Sequence, residues 1–130
     1  MRIAGAEGLS GLRSFREIVQ RRAVDIIRPY ISRAGGFMEG RRICALAAAN
    51  HVRVIPHMFG TVVRLAATLP DDLVALNPFP SYLELDVMEN GLRSDLSPRS
   101  FELDDGMVKI PDRPGLGVEI DGEALRRYCS

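Results

Sequence analysis

Over roughly the first 85 residues the chain repeats one arrangement, a short β-branched run followed by a stretch of helical periodicity, and this constrains its fold more than any other feature. Such units bury each strand between helices, so the pattern predicts a parallel α/β layer rather than a sandwich. Arg2 to Ala6 reads as the first strand, and Val24, Ile26 and Ile27 as a buried second strand that ends at Pro29. Val52, Val54 and Ile55 make a third that stops at Pro56 and His57, and Tyr82 to Asp86 a fourth.

The helical stretches between them carry their own signals. Ser14 and Glu17 have the spacing of a capping box near the start of a helix whose Leu12, Phe15, Ile18 and Val19 form one apolar stripe. Gly35 and Gly36 open a second helix on which Gly36, Gly40, Ile43, Leu46 and Ala47 share a face. The Gly-Gly pair costs helix propensity, so its placement predicts tight contact with the sheet or close approach of backbone to a ligand. Phe59 to Leu69 carries the third helical segment. Beyond the fourth strand, Asn90 to Arg99 reads as irregular. Phe101 to Leu103 and Met107 to Ile110 flank Asp105-Gly106 as a hairpin, and Asp121 caps a short helix that ends near Tyr128. The expected organisation is one partial domain over 1–130, with βα units over 1–86 and a C-terminal extension over 87–130.

Charge excludes some partners. Lys plus Arg equals Asp plus Glu at 17 each, without a run of one sign, so the chain offers no electrostatic footprint for nucleic acid or for an anionic membrane. No stretch approaches the ~18 apolar residues of a membrane span, and the N-terminus lacks an apolar core of signal-peptide length; the expected location is cytoplasmic. Cys44 falls within a helical pattern and Cys129 is penultimate, a spacing that makes neither a disulfide framework nor a metal site.

Polar residues recur at the strand ends. Glu7, Tyr30, His57 and Glu84 stand at or just past them, at steps of roughly 23 to 27 residues, one βα unit per step. In a (β/α)8 barrel these ends converge on the active site, which makes such side chains better candidates for chemistry than polar residues elsewhere. Doubly wound sheets have units of similar length, and the period alone leaves both architectures open. Singly, each residue also has a structural explanation: a solvated loop carboxylate for Glu7, a satisfied histidine after Pro56 for His57, a half-exposed strand position for Glu84.

Five segments, in order, carry a resemblance. They are Val24-Asp25-Ile26-Ile27-Arg28-Pro29, Ser32-Arg33-Ala34-Gly35-Gly36, Val54-Ile55-Pro56-His57-Met58-Phe59-Gly60, Tyr82-Leu83-Glu84-Leu85-Asp86 and Pro111-Asp112-Arg113-Pro114-Gly115-Leu116-Gly117. Together they resemble the C-terminal barrel portion of the mandelate racemase and muconate lactonizing enzyme family, within the enolase superfamily. The resemblance implies the C-terminal half of a (β/α)8 TIM-type barrel, about four βα units, plus the hairpin and short helix.

It also implies a chemistry. Glu7 resembles the third of three carboxylates that hold Mg2+, His57 the histidine that acts as general base or acid, and Glu84 the carboxylic acid that hydrogen-bonds a substrate carboxylate. Proton abstraction next to a carboxylate builds an enediolate, so a divalent cation and a hydrogen-bond donor must meet charge as it develops. Glu84 would need a desolvated site to act as that donor, and histidine titrates near the working pH. Tyr30 stands where racemase-type members carry an aspartate and muconate-type members a lysine; the resemblance leaves it as a hydrogen-bonding partner that orients His57.

The other two metal carboxylates, the lysine-bearing strand and the capping domain of the family match nothing here, so magnesium is expected to bind weakly or not at all to this chain alone. The implied ligand is a carboxylate or acid sugar, and a missing N-terminal region or a second copy would complete the barrel. Two readings remain open: a portion of a racemase or acid-sugar dehydratase, or a non-catalytic half barrel that self-associates.

Overall fold

The computed structural model describes residues 1–69, 82–97, 101, 103–110 and 112–129. Its first three strands, β1 (Ala4–Gly5), β2 (Ile26–Ile27) and β3 (Arg53–Val54), pair in parallel and in that order, with Gly5 opposite Ile27 and Ile27 opposite Val54. A second parallel pair joins β4 (His57–Met58) to β5 (Glu84–Leu85). The interruption between β3 and β4 falls at Pro56, which has no N–H to give to a ladder. Backbone bonds carry the sheet across the gap, from Ile55 N to Ile27 O at 3.0 Å, from His57 N to Pro29 O at 3.1 Å and from Glu84 N to Pro56 O at 3.3 Å. The third strand therefore does not stop at His57, as the proline suggested; it resumes there, because only one donor is lost.

Along these strands burial alternates as the pleat requires. Ile27, Val54 and Met58 are buried against the helices, while Ile26, Ile55 and His57 turn to the other face and are only partly covered. Helix α1 (Gly11–Gln20) lays Phe15 and Val19 on the sheet, with Leu12 and Ile18 beside them, as its stripe predicted. Ser14 does not cap it. The N-cap position is Ser10, whose side chain makes no capping bond, and Glu39 Oε1 of a later helix accepts from Leu12 N at 2.7 Å instead. A tertiary partner thus replaces the local box.

The short α2 (Ile31–Ala34) precedes α3 (Phe37–Ala49), and Gly35 and Gly36 join them at φ 122° and 82°. Those left-handed angles are the first reason for the glycine pair. Space is the second at Gly35, where an added Cβ would lie 3.0 Å from Glu39 Cβ. Buried Gly40, Ile43, Cys44 and Ala47 of α3 complete the main core with Ile31, Ala34 and Val52.

Helix α4 (Val62–Thr68) is capped by Thr61, whose hydroxyl accepts from Arg64 N at 3.3 Å. Asn90 to Arg99 is not wholly irregular. Asn90 caps a one-turn helix, α5 (Gly91–Ser94), through its side-chain oxygen on Leu92 N at 3.0 Å; residues 98–99 lie outside the described set. The hairpin forms with β6 (Leu103–Asp104) antiparallel to β7 (Met107–Val108), and Asp105 and Gly106 at φ 45° and 74° give the primed turn that the Asp-Gly pair favours. Asp121 caps α6 (Gly122–Tyr128) by accepting from Glu123 N at 2.8 Å and Ala124 N at 3.1 Å. Two smaller clusters, one on Met58, Leu65 and Leu69 and one on Val62, Leu96 and Ala124, share Phe101 and tie this extension to α4.

Candidate active site

Strand pairing brings three of the four strand-end residues into one charged cluster. His57 and Glu84 are register partners on adjacent parallel strands, so their side chains leave the same face side by side. His57 Nδ1 stands 3.2 Å from Glu84 Oε2. Glu7 comes from the exit of β1, where Ala6 at φ 80° turns the chain.

Arg28 links these groups. It follows β2 directly, its backbone N bonds Gly5 O at 2.8 Å, and its side chain reaches both carboxylates, with Nη1 2.5 Å from Glu84 Oε2 and Nη2 3.1 Å from Glu7 Oε2. The sequence reading assigned Arg28 no part. Alternation held the signal, since Arg28 lies two residues before Tyr30 on a strand whose Ile27 and Pro29 point into the core.

Electrostatics follow from that geometry. The Glu7 carboxyl is held below the usual carboxylate range, first by a backbone N–H, which exceeds the opposing effect of burial, and then by the Arg28 guanidinium. Glu84 keeps 38% of its side chain exposed and accepts a charged hydrogen bond from Arg28. The desolvated surroundings that a donating carboxylic acid needs are therefore not provided by the described residues, because the face that carries Glu84 is open.

Tyr30 does not hydrogen-bond His57. Its hydroxyl donates to Phe59 O at 2.9 Å and accepts from Arg64 Nη1 at 2.5 Å, and the Arg64 guanidinium also lies 5.4 Å from the ring centroid. What Tyr30 gives His57 is an edge contact, with centroids 5.5 Å apart and planes at 81°. The phenol is too long for the hydrogen bond expected of it: the ring itself fills the space beside the imidazole and carries the hydroxyl past it.

Three buried polar atoms lack a hydrogen-bond partner among the described residues: Glu7 Oε2, Arg28 Nε and His57 Nδ1. Buried polar atoms are ordinarily satisfied, so three in one cluster mark a place where another group belongs. Glu7 brings to this cluster a charged carboxylate oxygen, the kind of ligand a hard cation such as magnesium takes, although Arg28 already lies 3.1 Å from it. Among the described residues no group of three His, Cys, Asp or Glu could hold a metal, so Glu7 would supply one ligand and the others must come from elsewhere. Asp86, in the same strand segment as Glu84, is engaged structurally instead, by Met88 N at 2.9 Å and Arg93 Nη1 at 3.0 Å. Cys44 is buried, Cys129 is exposed, and no helix among the described residues is long and apolar enough to cross a membrane.

Comparison with known proteins places this geometry. The family described as enolase C-terminal domain-like matches residues 1–125. The D-galactarolactone cycloisomerase of Agrobacterium fabrum is 36% identical over 97% of this chain and 35% of its own length. The arabinonate dehydratase of Saccharolobus solfataricus is 32% identical over 97% of this chain and 33% of its own. The crystal structure of the 3,6-anhydro-D-galactonate cycloisomerase from Zobellia galactanivorans superposes with a TM-score of 0.88 at 34% identity, covering 98% of this chain and 36% of that one. The chain thus spans about a third of the length of the curated relatives it matches.

Proposed function

The chain belongs to the enolase C-terminal domain-like family, the C-terminal part of a (β/α)8 barrel, and from that premise we propose that it carries part of the active site of a magnesium-dependent enzyme that removes the proton next to a carboxylate of an acid-sugar substrate. The observation that carries this reading is the cluster of Glu7, Arg28, His57 and Glu84 at adjacent strand ends on one face of the sheet. Charged groups gathered at the C-terminal ends of barrel strands are placed to act on a substrate rather than to stabilise the barrel. Named relatives that are cycloisomerases and dehydratases of sugar acids or their lactones support the substrate class.

In the proposed chemistry His57 takes or returns the α-proton. Its Nδ1 faces Glu84 at 3.2 Å, so an imidazolium formed by proton uptake would rest against a carboxylate. The edge of Tyr30 restricts the plane of the imidazole. Beside Glu84, Arg28 offers the substrate's carboxylate end a fixed positive charge. Glu7 would be one magnesium ligand, and the bound ion would supply the positive charge that stabilises the enediolate oxygens. The remaining ligands and the opposite wall of the barrel are not among the described residues. We take the chain as a single partial domain, with βα units over 1–86 and the extension over 87–130.

A second reading has its own observation. Tyr82 is 56% exposed, and Ile26 and Ile55 are only partly covered, so the face that would line a closed barrel is open. A non-catalytic half barrel covering that face with a second copy fits it as well.

Proton exchange separates the two. The chain is incubated in D2O with Mg2+ and sugar acids such as galactonate or arabinonate, and loss of the α-proton signal is followed by NMR while light scattering gives its mass. Exchange that disappears in His57→Asn supports the catalytic reading. A self-associated chain that exchanges no α-proton refutes it for this chain and leaves the second.

A further inference from the structure

Tyr30 and His57 stand side by side on backbone that is already fixed. His57 N bonds Pro29 O at 3.1 Å, and Tyr30 O accepts from Arg33 N at 2.8 Å and Ala34 N at 2.7 Å in the first turn of α2. What can still move in the contact that limits the imidazole is the phenol ring. Its hydroxyl is held from two sides, donating to Phe59 O at 2.9 Å and accepting from Arg64 Nη1 at 2.5 Å, while the guanidinium lies 5.4 Å from the ring centroid, within cation–π range. Arg64 is itself set for this. Its backbone N donates to the Thr61 cap at 3.3 Å, and Gly60 leaves the room that its side chain uses, since an added Cβ there would lie 3.2 Å from Nη1.

We propose that Arg64 is a positioning residue for the proton transfer: by bracing the Tyr30 hydroxyl it holds the phenol edge against His57 and keeps the imidazole in the plane that turns Nδ1 toward Glu84. The inference rests on reading His57 as the group that takes or returns the α-proton. A hydrogen-bonded partner would hold a histidine through one ring nitrogen. The phenol holds it by shape instead and leaves Nδ1 to Glu84, 3.2 Å away, so the nitrogen left for the substrate is Nε2. An edge contact has no directed bond of its own, and its precision is that of the ring that makes it. Tyr30 turns about two side-chain torsions, and the hydroxyl, farthest from the backbone, is where one bond restrains both. A net hydrogen bond is worth about fivefold in the population of the arrangement it holds.

The test follows the His57 ring in the whole chain by proton–carbon NMR. The chain has 2 histidines, and the exposed His51 serves as the internal reference. Arg64→Met, at an exposed position of α4, is expected to shift and broaden the His57 ring resonances and leave those of His51 in place. Tyr30→Phe, which keeps the ring and removes the hydroxyl, should do the same, the two changes together should add nothing further, and Arg64→Lys should restore part of the parent spectrum. In the D2O exchange assay with Mg2+ and galactonate, Arg64→Met is expected to lower kcat about fivefold with little change in KM. His57 resonances that Arg64→Met leaves unmoved overturn the brace, and so do effects of Arg64→Met and Tyr30→Phe that simply add, since Arg64 would then act through its charge alone. If the unmodified chain exchanges no α-proton, the proposed reaction fails and the positioning role with it, while the His57 resonances still decide whether the brace exists.

Discussion

Ile26 and Ile27 are chemically identical neighbours on β2, and the structure assigns them opposite faces. Ile27 is 0% exposed in the main core, opposite Gly5 and Val54; Ile26 is partly covered on the face that carries the charged cluster. Truncating Ile27 to alanine removes three buried carbons, which at about 0.8 kcal/mol each sets a transfer cost near ~2.4 kcal/mol. Whatever cavity fails to collapse raises that toward ~4 kcal/mol. Ile27→Val removes one carbon and should cost about 1 kcal/mol. Ile26→Ala gives up much less buried surface and should stay below about 1.5 kcal/mol. The assay is urea unfolding followed by far-ultraviolet circular dichroism, with the denaturant slope checked for constancy across the set. Against a typical total of about 5–15 kcal/mol, the Ile27→Ala loss is large enough to measure without extrapolation error deciding it. If Ile26→Ala costs as much as Ile27→Ala, the open face described here is not open in solution, and the assignment of faces along β2 is refuted.

Three further outcomes are expected. Cys129 should react with a thiol reagent at once and Cys44 only on unfolding, because burial pushes the Cys44 thiol up to about 11 and blocks access; equal rates in the native chain would contradict the core packing. Asp86 is held below its ordinary range, first by Met88 N–H and then by Arg93, so its contribution to stability is present above the unfolded carboxylate range and lost as pH falls through its lowered folded value. The stability gap between the parent and Asp86→Asn, measured by urea titration at a series of pH values, should be widest near neutrality and close in acid. Thr61→Ala removes the hydroxyl that caps α4 and should cost about 1 kcal/mol by the same urea assay, while Thr61→Ser should restore most of it; an unchanged midpoint would show that the 3.3 Å bond contributes nothing.

Periodicity made much of this molecule legible in its sequence. The stripe of Leu12, Phe15, Ile18 and Val19, the four strand levels, the Asp105-Gly106 turn and the Asp121 cap are each set by residues within a few positions of one another, and each formed where local chemistry placed it. Glu7, His57 and Glu84 were likewise visible as polar residues at strand ends, because a step of one βα unit returns the chain to the same end of the sheet.

Where the deciding partner lay far along the chain, the sequence was silent or misleading. It offered Ser14 as a cap when Glu39, 27 residues beyond Leu12, supplied the bond. It left Arg28 as part of a strand, although that guanidinium bridges carboxylates from two other strands, and it gave Tyr30 to His57 when Phe59 and Arg64 hold the hydroxyl. The physical reason is common to all three. A hydrogen bond or ion pair forms only between groups within about 3 Å. For residues dozens of positions apart, parallel pairing and helix packing alone determine which ones meet at that distance.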